Sequence, residues 1–226
     1  MKPRVLLTAI AAAGVLCLCA SCAIAGQVFT FWAEQDSWVN ESNPGANYGN
    51  STYMSVKDRS GLSEAYIRFS DKDIASLSGI SIKSASLFTY QYQGTNSPGD
   101  LVAVHKVLSD WGENVITWND KPSYDSNALG SINIGGETNT SGWREWPGIE
   151  AVLASWSDGG NFGLALENNG DNVKEELFSR LYSSEYSNSA LRPYLKVTAA
   201  PEPVSMALFG LGGAVIGVKR MWKRRL

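Results

Sequence analysis

The stretch "SIKSASLFTYQYQ", residues 81–93, decides the fold class because polar and apolar residues alternate along most of its length. Alternation with a period of two is typical of a β-strand that has one face in a core. Ile82, Leu87, Tyr90 and Tyr92 do not all fall on one face, which predicts a bulge or a break near Ser84 to Ser86. A strand of this length predicts a large antiparallel sheet.

Segments of similar character lie on both sides of it, separated by clusters of turn residues such as "NPGANYGNS" and "DGGN". One stretch, Pro147 to Gly160, has helical spacing of its apolar residues. The pattern predicts an all-β fold, an antiparallel β-sandwich of jelly-roll type with one short helix. The other predicted strands are 28–33, 52–57, 65–70, 101–107, 131–134, 161–167, 177–185 and 193–199.

The first 25 residues have the pattern of a secretory signal peptide. Lys2 and Arg4 precede a long apolar run, and the small residues around Ala25 predict cleavage between Ala25 and Gly26. All three cysteines lie in this segment, so the mature domain would have neither disulfide nor catalytic thiol. Two alternatives are a core helix and a lipoprotein signal that ends at Cys22.

The charge of the central part excludes one class of ligand. Between Gly26 and Ala200 the chain has 12 basic and 21 acidic residues, a net of nine negative charges. Affinity for phosphate backbones depends on basic residues, so nucleic acid is not expected as a partner.

The C-terminal segment, residues 200–226, consists of Pro201-Glu202-Pro203, an apolar run from Val204 to Val218 and a basic end. A permanent transmembrane helix usually needs about 20 apolar residues, and this run has 15. Four glycines disfavour a core helix in water. The segment predicts a short, transient span of the inner membrane with its basic end in the cytoplasm.

Two motifs follow each other along the chain: Asn47, Tyr48, Gly49 and Arg68 form the first, and the second runs from Trp111 to Pro122. Together they resemble the DNRLRE domain family, a group of extracellular β-sandwich modules. The resemblance implies one domain over residues 26–199, without catalytic activity, that binds an acidic polysaccharide such as alginate. The motif residues, which also suit a structural role, are Asn47, Tyr48, Gly49 and Arg68 in the first part and Trp111, Glu113, Thr117, Trp118, Asn119 and Pro122 in the second.

The C-terminal segment resembles the PEP-CTERM sorting signal of Gram-negative bacteria. This resemblance implies that an exosortase cuts near Pro201, Glu202 and Pro203, and that the protein reaches the cell surface or an extracellular polysaccharide matrix.

Several aromatic residues are candidates for sugar contact, because exposed rings stack on the apolar faces of sugars. Trp143 and Trp146 lie in a polar, glycine-rich stretch, where we expect them to be exposed. Arg144 between them would suit the carboxylate of a uronate. Tyr90 and Tyr92 share one strand face and predict a second platform.

Other conspicuous residues favour structural interpretations. Trp111 and Trp118 are expected to pack beneath a loop, and Arg68 to pair with a carboxylate or with carbonyls at a sheet edge. The single histidine, His105, lies on an alternating strand and is expected to have a structural partner.

Structural calcium is a further hypothesis. The segment from Glu167 to Asn172 has oxygen ligands around a glycine, so Glu167 and Asp171 are candidate ligands, as are Asp36 and Asp100 in other predicted turns. A solvated turn is the alternative.

Three functions remain open from the sequence. The chain is predicted to be an exported, non-catalytic module that binds extracellular polysaccharide. It could instead be a structural matrix protein without a sugar site, or a polysaccharide-degrading enzyme.

Overall fold

Ten β-strands and two α-helices make up most of the described part of the chain. The computed structural model describes residues 26–95, 101–134, 141–157, 159–169 and 178–201. Residues 28–199 form one compact unit; a second unit comprises residues 1–27 and 200–226, of which only 26–27 and 200–201 are described. The elements are β1 (Val28–Asn40), β2 (Tyr53–Lys57), β3 (Ser63–Phe69), α1 (Asp71–Ala75), β4 (Ile82–Gly94), β5 (Leu101–Lys106), β6 (Gly130–Asn133), β7 (Gly142–Pro147), α2 (Glu150–Ser157), β8 (Leu164–Asn168), β9 (Phe178–Tyr182) and β10 (Tyr194–Ala199).

The strands pair in antiparallel fashion and form two layers. One layer has the order β7–β4–β10–β1, and the other has the order β1–β3–β8–β5–β6. β1 belongs to both, because its first five residues pair with β10 and the rest with β3, with a bulge between Ala33 and Gln35. β9 joins β2 to the end of β4. The predicted all-β antiparallel sandwich is confirmed.

The main core lies between the two layers. Leu87 of β4 and Leu195 and Val197 of β10 are fully buried on the inner face of one layer. Val104 of β5 and Leu166 of β8 are fully buried on the inner face of the other. The alternation in the sequence thus corresponds to one face in the core and one face outside.

A second core lies on the outer face of the β1–β3–β8–β5 layer, beneath the chain between β5 and β6. We call residues 107–129 the covering segment. Its Trp111 and Ile116 pack with Tyr66 of β3 and Ala165 of β8. The indole Nε1 of Trp111 donates a hydrogen bond to the Phe162 carbonyl at 2.7 Å, so this ring is both buried and satisfied. The covering segment therefore shields one of the two outer faces from water.

Asn47 fastens the covering segment to the turn that follows β1. Its Nδ2 donates to the carbonyls of Glu113 and Ile116, each at 2.8 Å. Gly49 packs so closely that an added Cβ would lie 2.2 Å from the Glu113 carbonyl oxygen. The two motifs, distant in sequence, are in direct contact here.

Other motif residues make contacts around the same segment. Tyr48 stacks on Trp38 of β1 with ring centroids 3.9 Å apart. Arg68 Nη1 lies 2.6 Å from Asp110 Oδ1 at the start of the segment. Two contacts lie within the segment: the Thr117 N–H donates to Asp120 Oδ1, and the Trp118 ring lies beneath the Lys121 ammonium. Two others reach out of it: the Asn119 N–H donates to the Pro44 carbonyl, and the Pro122 carbonyl accepts from the Tyr66 hydroxyl.

The structure differs from the sequence prediction in three elements. β1 continues to Asn40 through a polar run, β7 forms where no strand was predicted, and the five-residue helix α1 was not predicted. β4 has the irregularity predicted near Ser84 to Ser86, since its pairing with β10 shifts at Lys83. A second irregularity, between Gln91 and Gln93, was not predicted.

The polar run of β1 contains a buried carboxyl group. Asp36 is 1% exposed. Its Oδ2 accepts a hydrogen bond from the Ser184 N–H at 2.7 Å, and its own N–H donates to Glu113 Oε1 at 2.9 Å. Burial, and then the charge of Glu185, raise the pKa of Asp36 well above the ordinary value of 3.8. Asp36 therefore keeps its proton at pH values where an exposed carboxyl group has lost it.

We predict that Asn47→Ala lowers the free energy of unfolding by about 2 kcal/mol, because two carbonyls of the covering segment lose their donor. Urea unfolding followed by tryptophan fluorescence measures the change. Asn43→Ala is the matched control: Asn43 makes one exposed contact of 3.4 Å, and its removal should cost less than about 0.5 kcal/mol. Equal effects of the two substitutions would contradict the role of Asn47.

We also predict that stability falls as pH rises through the folded-state pKa of Asp36. The folded state holds this proton more tightly than the unfolded state, so the contribution is fully present below the unfolded pKa and is lost above the folded one. Asp36→Asn retains an oxygen acceptor for Ser184 and cannot ionise, so its stability should depend less on pH.

The measurement is urea unfolding of both proteins at pH values from about 4 to about 8. The prediction is wrong if the two proteins show the same dependence on pH.

Candidate functional site

Three aromatic rings line the outer face of β4. Phe88, Tyr90 and Tyr92 are half-buried at alternate positions, whereas Leu87, Thr89 and Gln91 between them are buried on the inner face. The strand period therefore gives a row of rings on one side of the layer.

Neighbouring strands add a ring beside each of these three. Residues opposite each other on antiparallel strands bring their side chains into contact, which orders such pairs. The ring centroids lie 4.8 Å apart for Phe88 and Tyr194 of β10, 5.5 Å for Tyr90 and Trp143 of β7, and 4.7 Å for Tyr92 and Tyr182 of β9.

Two further rings extend the surface. Trp32 of β1 is 46% exposed and lies 5.2 Å from Tyr194 between ring centroids. Tyr186, after β9, stacks on Tyr182 at 3.5 Å. We call this surface the aromatic strip; it consists of Trp32, Phe88, Tyr90, Tyr92, Trp143, Tyr182, Tyr186 and Tyr194.

The rings hold one another in place and stay uncharged. The hydrogen bond with Tyr186, followed by burial, raises the pKa of Tyr182 to about 12. Burial also raises the pKa of Tyr92 and of Tyr194. The strip thus presents neutral phenol and indole rings, whose apolar faces and polar edges suit stacking combined with hydrogen bonding.

Two cations lie next to the strip. The Arg180 guanidinium interacts with Tyr92 of the strip through its charge and a hydrogen bond, and its Nη1 donates to Gln93 Oε1 at 2.9 Å. The Lys196 ammonium lies 5.9 Å from the Phe88 ring centroid. The strip therefore has positive charge beside it although the domain as a whole is acidic.

The structure separates the residues predicted to form the first sugar platform. Trp143 is 39% exposed on the outer face beside Tyr90, so it joins the predicted second platform. The expectation that Trp146 is exposed is wrong: Trp146 lies three residues further along the strand, so it points into the core, where its Nε1 donates to the Val102 carbonyl at 2.9 Å. Arg144 shares this inner face, and its Nε donates to Gln91 Oε1 at 2.7 Å.

Sequence reasoning missed five rings of the strip: Trp32, Phe88, Tyr182, Tyr186 and Tyr194. Alternation within "SLFTYQY" and "PYLKV" would place Phe88 and Tyr194 on outer faces. No signal in the sequence reveals which strands are neighbours, so their contact could not be predicted.

The candidate calcium ligands lie in different surroundings. Asp36 is buried beside Ser184 and Glu113, whereas Glu167 lies beside His105. Asp100 and Asp171 are outside the described residues. Within the described ranges, no group of three or more Asp, Glu, His or Cys side chains is arranged to hold a metal ion. Calcium binding stays a prediction.

His105 is 3% exposed and has structural neighbours. Its Nδ1 lies 2.7 Å from the Asp125 carbonyl oxygen of the covering segment, and its Nε2 lies 3.5 Å from Glu167 Oε2. Nearby, the Lys121 ammonium of the covering segment donates to Glu64 Oε1 of β3. These side chains connect the covering segment to the layer beneath it.

Comparison with known proteins identifies the family of the domain. Residues 27–199 match the sequence model of carbohydrate-binding module family 96. No curated protein matches the chain significantly. The match covers most of the chain and nearly all of the described sandwich, and the chain therefore belongs to carbohydrate-binding module family 96.

Proposed function

We propose that this module binds an acidic polysaccharide on the aromatic strip and does not cleave it. The observation that carries the proposal is the continuous surface of eight rings on one outer face of the sandwich. The apolar faces of sugar rings stack on such a surface, while phenol and indole groups at its edges bind hydroxyl groups.

The charges beside the strip support an acidic ligand. Arg180 and Lys196 border the rings, and a guanidinium or ammonium group there attracts a uronate carboxylate. The domain carries a net of nine negative charges, so binding of a polyanion must depend on these local contacts rather than on the overall field. The resemblance to the DNRLRE family also favours such a ligand, and membership of a family of binding modules favours a non-catalytic role.

The terminal segments support export. The signal sequence with its boundary at Ala25 and Gly26 would direct secretion, and the PEP-CTERM-like segment from Pro201 would pass through the inner membrane transiently and be removed by an exosortase. The mature protein would then lie at the surface of a Gram-negative cell or within its exopolysaccharide. Intact mass of the protein recovered from the extracellular fraction tests this; a species that retains Trp222 would contradict removal.

We predict that Trp143→Ala lowers the affinity for the bound polymer about tenfold, because a central ring of the strip is lost. Affinity electrophoresis in gels that contain alginate or polygalacturonate measures the change. Trp143 also packs against Tyr90 and Tyr194, so the melting temperature should fall, but the protein should remain folded at the temperature of the assay.

Trp118→Ala is the control, because Trp118 is a half-buried tryptophan of the covering segment, away from the strip. It should lower stability and leave affinity unchanged. Equal affinity of the wild type and Trp143→Ala would refute the strip as the binding surface. Release of unsaturated or reducing sugars from the polymers would show instead that the protein is an enzyme.

A further inference from the structure

A hollow of about 440 Å³ lies at the Trp32 end of the aromatic strip. It is lined by Trp32 and Ala33 of β1 and by Ser189, Ala190 and Arg192 of the segment before β10. Ser189 and Ala190 belong to a single turn of 3₁₀-helix, which the Asn188 side chain caps by accepting from the Ala190 N–H. The wall opposite Trp32 is therefore an ordered turn.

Arg192 is fixed at one atom and free at the others. Its Nε donates a hydrogen bond to the Tyr186 carbonyl at 2.9 Å, which ties the guanidinium to a residue of the strip. No hydrogen bond or ion pair involves its two Nη groups among the residues that the structure describes. The guanidinium is therefore held in one orientation with its terminal donors available.

Three of the other described arginines have different surroundings: Arg59 and Arg68 lie beside carboxylates, and Arg180 uses Nη1 for Gln93. Arg144, like Arg192, is held at Nε, but its partner Gln91 is buried on the inner face of the layer. Two parallel Nη–H donors of an arginine match the two oxygens of a carboxylate, and the charge makes these hydrogen bonds stronger than neutral ones. Arg192 is thus the described arginine that best fits an anionic group from outside the protein.

Trp32 lines the same hollow as Arg192 and supplies a ring on which a sugar can stack. Almost half of its surface is exposed, and its contact with Tyr194 makes it the last ring of the strip on this side. A sugar that stacks on Trp32 would place its substituents in the hollow within reach of Arg192 and the Ser189 hydroxyl.

We propose that this hollow is a subsite for one uronate residue, with its ring on Trp32 and its carboxylate on the two Nη groups of Arg192. The inference rests on the proposed function, since it adds a position that recognises a charged group to a strip that stacks on the faces of sugar rings. It assigns selectivity for uronate over a neutral sugar to Arg192, a residue that no sequence motif identifies.

The test compares polygalacturonate with its methyl ester, because esterification removes the charge of the carboxyl group and leaves the sugar chain unchanged. At about 0.15 M ionic strength, where exposed charges are largely screened, we expect the wild type to bind the charged polymer more tightly. Arg192→Met should lose roughly tenfold in affinity for polygalacturonate and less than about twofold for the ester. Trp32→Ala should weaken binding of both polymers.

Arg59→Met is the matched control, since it removes one surface charge at a residue that does not line the hollow. A parallel loss for both polymers in Arg192→Met would overturn the subsite, because it would mean that Arg192 only supports Tyr186. Equal wild-type affinity for the two polymers would overturn the subsite and leave the strip intact. Binding of neither polymer by the wild type would refute the proposed function itself.

Discussion

Two hydrogen bonds from the Asn47 side chain, to the carbonyls of Glu113 and Ile116, hold the covering segment over one outer face of the sandwich. A sheet with apolar residues on both faces needs a cover on each. With the segment in place, Trp111 and Ile116 are buried against Tyr66. Without it, the apolar side chains of Val39, Tyr66 and Ala165 on the outer face of the layer would be exposed to water.

The two outer faces of the sandwich are therefore covered in different ways. One is closed by the protein's own chain, where Trp111 Nε1 and Asn47 Nδ2 donate to backbone carbonyls. The other is covered only by half-buried rings that pack edge to face and face to face with one another. Such a surface tolerates water because the rings carry polar edges, and it gains further burial when a ligand with apolar faces lies upon it. Ordered rings also lose little conformational entropy on binding.

The sequence predicts those parts of the fold that depend on alternation within one strand, such as the two faces of β4 from Leu87 to Tyr92. It does not predict features that depend on contacts between strands. The second half of β1 is not predicted because Glu34 to Ser37 are all polar. Asp36 is buried there through hydrogen bonds with Ser184 and Glu113, which are distant in sequence. Similarly, "GWREW" reads as a polar loop until its pairing with β4 makes it a strand; the odd spacing of Trp143 and Trp146 then puts them on opposite faces. The strip is assembled from five strands, and no local pattern specifies their order.

The pairing of β1 with β10 has a mechanical consequence. Val28 lies opposite Thr198, so the chain enters and leaves the domain at the same end of two adjacent antiparallel strands. Tension applied between these two points would load the strand pairs in turn, as a zipper opens, rather than all together in shear. Trp32 and Tyr194 form the last of the five pairs and also a ring contact of the strip. A polymer lying across both rings would bridge the two strands at this pair and oppose its separation, so ligand binding and resistance to pulling would be coupled.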